Sequence, residues 1–378
     1  MSVLSALKTS RKPAAAFMVI GAFWGCFAAQ VPVLKAGLGV GDATFGTLLL
    51  GSAFGLLTAM WLAPKVDKAL GDRGMQAVSL AFAAALLLPG IVTTPMGFFL
   101  MMVLLGALSG LLDVLMNARV SELEAQTGRS LMNANHGMFS VAYAVAALLT
   151  GLAREAGLSP LAVFTTCAVV ICILAALIRM PVADVPEAQE SDTSPFWPVV
   201  ICGAVTLVAF MSEATVEAWS ALHIERTLQG GAAEGALGPA MLGLTMAVGR
   251  FSGQMVSERL REVTVIMAAS VLAATGAVVA ATAVSPAMAY LGFGILGLGI
   301  SVIGPMGLAL VGKLVSPRER TKAISRVAVI AFSGFFFAPV LMGFASEWFG
   351  LRVAFGLVAV VLLLTIPLAG GIARMQRR

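Results

Sequence analysis

Three carboxylates stand inside apolar stretches of this chain, and their spacing is the first sign of chemistry. Asp113 falls in Gly106-Ala-Leu-Ser-Gly110-Leu-Leu-Asp113-Val-Leu-Met-Asn117, where Gly106, Gly110, Asp113 and Asn117 recur at steps of four, three and four. On a helix these four share one small, polar face. Glu213 and Glu217 lie one turn apart in another apolar stretch, on a face with Thr206, Phe210 and Ser220. A carboxylate in a membrane-length run costs about 2.5–3.5 kcal/mol on insertion scales, so it turns toward a bundle interior or a water-filled cavity. An apolar setting penalises the charged form of a carboxyl, and such a group can take up and release a proton. Two acids a turn apart do not both ionise cheaply unless a cation sits between them. Counting about 1.5 Å per residue from Phe196 puts Glu213 in the outer third of a bilayer and Glu217 near its surface, as a binding or rim residue. Asp113, Glu213 and His136, which starts an apolar stretch beside Asn133 and Asn135, are the proton-coupling candidates. The competing readings are an aspartate that fixes helix packing and an interfacial histidine.

Positioning such groups requires a membrane scaffold, and the composition supplies one. The 378 residues are 59% hydrophobic and 11% charged, with a mean hydropathy of +0.97, against about 25% charged residues in a soluble domain. The apolar runs are long and continuous, which excludes the alternating pattern of a β-barrel. The fold class read from this is an all-α membrane protein. Lys8, Arg11 and Lys12 precede a first apolar run from Ala14 to Leu34, too long for a signal-peptide core and therefore read as a retained helix. The two histidines lie far apart, and Cys26, Cys167, Cys172 and Cys202 lack the close pairs of a metal or redox motif. No enzyme chemistry, metal or cofactor is expected, and the net charge of +5 does not imply a nucleic acid, because the charges are distributed by topology.

Twelve spans follow at about twenty residues each. They divide into a six-helix bundle at residues 1–180, a polar cytoplasmic linker at 181–195 with acids and three prolines, and a second six-helix bundle at 196–378. With that layout twenty of the 24 Lys and Arg residues fall on one side, and Lys35, Arg154, Arg226 and Arg352 on the other. The positive-inside rule then puts both termini in the cytoplasm, with the chain multi-pass in a bacterial inner membrane. The halves form a weak repeat that aligns Gly106 with Gly294, Asp113 with Ser301 and Asn117 with Pro305.

Around the acids, Asn117 lies one turn below Asp113, Ser301 occupies its repeat position, and Trp24 and Trp219 offer ring faces to a sugar or an aromatic solute. With Gln30 and Glu217 these are the substrate-binding candidates. Small-residue pairs at Gly21/Gly25 and Gly51/Gly55 permit close helix approach. Asp67 and Arg73 after the second span, and Arg250, Glu258 and Arg259 after the eighth, set acids and bases beside glycines at corresponding places. They are read either as solvated interface charges or as gating ion pairs at the cytoplasmic mouth. Arg119, Glu122 and Glu124 are read as loop charges.

This layout resembles the major facilitator superfamily of secondary transporters. Val31-Pro32, Gly110 to Asn117, Asn135-His136-Gly137 with Phe139-Ser140, Glu213 with Trp219-Ser220-Ala221, and Phe332-Ser-Gly334 to Pro339 resemble its bacterial group related to fucose permease. The resemblance implies two pseudo-symmetric six-helix bundles around a central cavity, with Asp113 matching an acid implicated in proton-coupled transport. Gln30 stands where similar chains often carry a basic residue. The expectation is proton-coupled uptake, as a symporter, of a small polar solute such as a sugar by a monomer in the lipid bilayer. Proton-driven efflux of an amphipathic compound is the alternative, and a transporter-fold membrane sensor a more distant one.

Overall fold

The computed structural model describes residues 3–182, 195–257, 261–316 and 319–375. They form α1 (Val3–Thr9), α2 (Arg11–Leu38), α3 (Asp42–Leu70), α4 (Gly74–Ala85), α5 (Pro95–Thr127), α6 (Met132–Glu155) and α7 (Pro160–Ala175). The second half holds α8 (Phe196–Leu222), α9 (Ala232–Ser257), α10 (Glu262–Ala281), α11 (Pro286–Leu314), α12 (Arg320–Phe332), α13 (Gly334–Leu363) and α14 (Thr365–Met375).

Three helices start at a Ser/Thr-Pro signal written in the chain. Thr94, Ser159 and Ser285 each accept a bond from the backbone N–H three residues on, at 3.2, 3.3 and 3.4 Å, and Pro95, Pro160 and Pro286 follow as first helical residues. The hydroxyl satisfies a donor the helix leaves free, and proline there forfeits none. All three starts lie at the end of the molecule poor in Lys and Arg.

Eight helical stretches are long and apolar enough to cross a membrane. Two of them, Asp42–Gly90 with 49 residues and Lys322–Met375 with 54, exceed one crossing of about twenty residues and turn back at Gly71 (φ 51°) and Gly350 (φ 81°). With the shorter α7, and with α9, whose apolar run is interrupted by Arg250, the crossings number twelve among the described residues. The all-helical twelve-span fold is thus as read from the sequence. Residues 183–194 of the expected linker lie outside the described residues.

Pro32, Pro64, Pro239, Pro305 and Pro339 all sit inside helices. One consequence corrects a boundary: α3 runs through Pro64 to Leu70, so Asp67 is on a helix and not in a loop. A proline removes a single backbone bond, and packed neighbours absorb that loss.

Within the first half α3 lies along α5 and α2 along α6. Glycine sets these approaches: a Cβ at Gly106 would stand 2.1 Å from the Ser52 carbonyl oxygen, and one at Gly55 2.1 Å from that of Val103. Gly106→Val therefore separates α3 from α5, and the expected result is loss of the monodisperse peak in size-exclusion chromatography. Between the halves, α6 packs on α9, α3 on α13 and α2 on α8.

Candidate functional site

Where α2, α3, α5 and α6 of the first half face α8, α12 and α13 of the second, they enclose a cavity of about 190 Å³. Its walls are Trp24, Phe27, Phe139, Phe332 and Phe335 with smaller apolar residues, and its charged lining groups are Asp113, Glu213 and Glu217. The glycine stripe of α5 explains how Asp113 gets there. Gly106 and Gly110 lie against α3, and Asp113, on the same face one turn on, reaches past that contact into the cavity. Asn117 donates its amide to Asp113 Oδ1 at 3.2 Å and to the Asp113 carbonyl at 2.8 Å. Asn117 itself does not line the cavity; it orients the carboxylate.

Glu217 is not at a rim. It shares the cavity with Asp113, because α8 continues past Leu222 through a π-helical turn, His223–Thr227, and it is that turn which reaches the surface. The count from Phe196 fails because α8 and its π turn span 32 residues, with Phe196 and Trp197 themselves exposed.

Arg250 lies within α9, not in a loop. It donates to Ser140 Oγ at 2.6 Å and to the His136 carbonyl at 3.5 Å, both on α6, and to Glu213 Oε1 at 3.2 Å on α8. Its guanidinium carbon is 5.8 Å from the centroid of the Phe139 ring. This one cation ties the halves together beside the cavity and balances Glu213. Among the described residues no ion pair involves Asp113 or Glu217. The His136 ring packs edge-on against Phe17 at 4.7 Å and has no bond to Asp113.

Of the substrate-binding candidates, Trp24 and Glu217 line the cavity. Gln30, Trp219 and Ser301 are packed inside the helix assembly. Gln30 and Trp219 are fully buried, the Gln30 amide and the indole N–H have no partner among the described residues, and the Trp219 ring meets Phe45 at 6.1 Å. Ser301 bonds back to the Leu298 carbonyl at 2.6 Å, at a place where a Cβ on Gly249 would touch its hydroxyl.

The gating candidates fare differently from one another. Asp67 pairs with Arg119, which also pairs with Glu122. Arg119 is 2% exposed, so it is a buried clamp between α3 and α5 and not a loop charge. Arg73 is exposed at its turn, and Glu258 and Arg259 lie outside the described residues. Arg119→Ala takes from Asp67 its ion-pair partner across α3 and α5, beside apolar packing, a loss on the order of 3 kcal/mol. A thermal melt of the purified variant is expected to fall by several degrees, with partial recovery in Arg119→Lys.

At the Lys/Arg-poor end all four basic residues are bonded, and two of them, Arg154 and Arg226, clasp one half to the other. Arg226 makes a two-pronged pair with Asp42 at 2.8 and 2.6 Å and donates to Ser346 at 3.0 Å, while Lys35 shares Asp42 Oδ1 with it at 2.9 Å. Arg154 makes a two-pronged pair with Glu225 at 2.7 and 2.9 Å and donates to the Ala29 carbonyl at 2.7 Å. The backbone N–H of Ala43 donates to Glu347 at 2.8 Å. Arg352 donates to the Ala281 and Ala283 carbonyls. Asp42–Arg226 and Arg154–Glu225 cross between the halves, whereas at the opposite end Asp67–Arg119, Asp72–Arg179 and Glu262–Lys313 each stay within one half. The residues of this seal were missed as site residues. The available signal was that four basic side chains stand against the charge rule, and each needs a local reason to be there.

Comparison with known proteins agrees with this architecture. The family model described as Major Facilitator Superfamily matches residues 201–374. An uncharacterized MFS-type transporter of Yersinia pestis is 30% identical over 369 residues, covering 95% of this chain and 94% of that protein. The membrane protein MosC of Rhizobium meliloti is 27% identical over 340 residues, covering 89% and 83%. Among solved structures, a bacterial homologue of the human lysosomal transporter Spinster, inward-facing and occupied, superposes with a TM-score of 0.76 at 15% identity, covering 98% of this chain and 97% of that one. The nucleoside transporter NupG superposes with a TM-score of 0.69 at 15% identity over the full length of both chains. At such identity these two likenesses speak for the fold.

Proposed function

We propose, for a chain that belongs to the major facilitator superfamily, secondary active transport by alternating access with protons as the coupling ion. One observation carries the reading: acids from opposite halves, Asp113 on α5 and Glu213 and Glu217 on α8, meet in one cavity, and ion pairs clasp the halves together at the Lys/Arg-poor end. Solute and protons would share that site as the halves rock around it. The positive-inside count makes the closed end periplasmic, the conformation inward-facing, and both termini cytoplasmic, with 181–195 joining the halves. In this cycle Asp113 takes and releases the proton. Protonation of Glu213 weakens its hold on Arg250 and loosens the tie from α9 to α6 and α8. His136 contributes through its carbonyl, which sits under Arg250.

The resemblance of the α5 and α8 motifs to the fucose permease group supports uptake of a small polar solute. The cavity supports the other reading more strongly. A sugar needs hydrogen-bond partners on most sides, yet apart from the three acids the side-chain hydroxyls lining this cavity are those of Ser52 and Ser109, against five aromatic rings. An amphipathic solute, exported in exchange for protons, fits these walls.

The test is flux. A thermal-shift screen of sugars, organic acids and organic cations against the purified protein identifies a ligand, and that ligand is then followed in proteoliposomes. A pH gradient alone is expected to drive its accumulation, and collapse of the gradient with a protonophore to abolish it. Equal flux with and without the gradient overturns the proposal.

A further inference from the structure

The geometry points to an organic cation with a flat apolar body as the ligand of the central cavity, with Glu217 as its counter-ion. This deepens the transport reading above and rests on it for the link to protons. The walls give the first argument. Trp24 and Phe27 from α2, Phe139 from α6, Phe332 from α12 and Phe335 from α13 turn into one space of about 190 Å³, enough for a single ring with a small head group. Ring faces attract cations at about 6 Å or less, and this wall already carries one, the Arg250 guanidinium over Phe139.

Charge gives the second. The groups around Glu217 are Glu213 on its own helix, Arg250 on α9, Tyr143 on α6 and Asp113 across the cavity on α5. Arg250 is spent on Glu213 and Ser140, and Asp113 has the Asn117 amide. Glu217 alone of the three acids has neither a hydrogen bond nor an ion pair among the described residues, and it faces the aromatic space. A lone carboxylate away from water is stabilised by a proton or by a cation that brings its own charge. An anionic ligand meets two surplus acids here, and a neutral polyol leaves Glu217 as it was. Cation and proton thus compete for the same carboxylate, which is the exchange an antiporter requires.

Binding is measured by isothermal titration calorimetry on the full chain in lipid nanodiscs, with no gradient present. Three probes are used: phenyltrimethylammonium, whose charge is fixed, benzenesulfonate, and glucose. The expected result is saturable binding of phenyltrimethylammonium alone, weaker at about pH 5.5 than at about pH 8, with proton release on binding read from buffers of different ionisation enthalpy. Glu217→Gln is expected to weaken the cation by about tenfold or more, and Glu217→Asp to retain most of the affinity. Binding of benzenesulfonate or glucose in place of the cation overturns the inference, and so does unaltered cation affinity in Glu217→Gln. The wild-type probe comparison decides the matter even where a variant fails to fold. Absence of cation binding beside intact gradient-driven flux of another solute defeats this inference and leaves the transport reading standing. Cation binding without any effect of a pH gradient on flux defeats the transport reading instead.

Discussion

Asp113→Asn is expected to abolish accumulation driven by a pH gradient in proteoliposomes, reducing it to the level of empty liposomes, while exchange of labelled for unlabelled solute persists. The reasoning is geometric. An amide is nearly isosteric with a protonated carboxyl, and its oxygen still accepts from Asn117 as Oδ1 does in the native protein. The α5 stripe and its contact with α3 at Gly106 are untouched, so folding and insertion are retained. What is lost is the ability to give the proton back. A transporter fixed in its protonated form equilibrates solute across the membrane but no longer couples it to the gradient. Undiminished accumulation in this variant would remove Asp113 from the coupling role, and loss of exchange as well would mark it as a packing residue.

Arg154→Ala is expected to open the end that is closed in this conformation. Arg154 is 7% exposed and holds both oxygens of Glu225 and the Ala29 carbonyl, so its removal leaves a largely buried carboxylate without a partner. The penalty falls only on the closed conformation, because the pair crosses between the halves. A loss on the order of 3 kcal/mol moves a two-state ratio by about a hundredfold. The readout is the labelling rate of a cysteine placed at the cavity wall, Ser52→Cys, by a membrane-impermeant thiol reagent added on the periplasmic side, in a background with the four native cysteines replaced. The rate is expected to rise steeply in Arg154→Ala and to fall back when Arg154→Glu is combined with Glu225→Arg. An unchanged rate would mean that the pair does not hold the gate.

These two residues also mark what was legible in the chain. The twelve spans, the charge asymmetry and the inward face of α5 are local properties, set by hydropathy and a helical period, so Asp113 was visible from spacing alone. The partnership of Arg154 with Glu225, or of Asp42 with Arg226 across 184 positions, depends on how two bundles meet, and no local pattern encodes it. Residue type misled in both directions. Arg119 looked like a loop charge beside Glu122 and Glu124 and is a buried clamp, because α3 extends far enough past Pro64 to bring it Asp67. Gln30, Trp219 and Ser301 looked like ligands by chemistry and are absorbed in helix packing. Glu217 was misjudged by a ruler: its depth depended on where α8 ends, and a π turn moved that end.

That turn, His223–Thr227, works as a stacking fault at the tip of α8. It accommodates one residue more than the regular helix would, and it sends the neighbouring side chains Glu225 and Arg226 to two different helices of the other half, α6 and α3. Both cross-half clasps therefore sit on the five residues of the turn, while Glu213 and Glu217 stand on regular helix before it, so the latch and the acids are carried by differently built parts of one element.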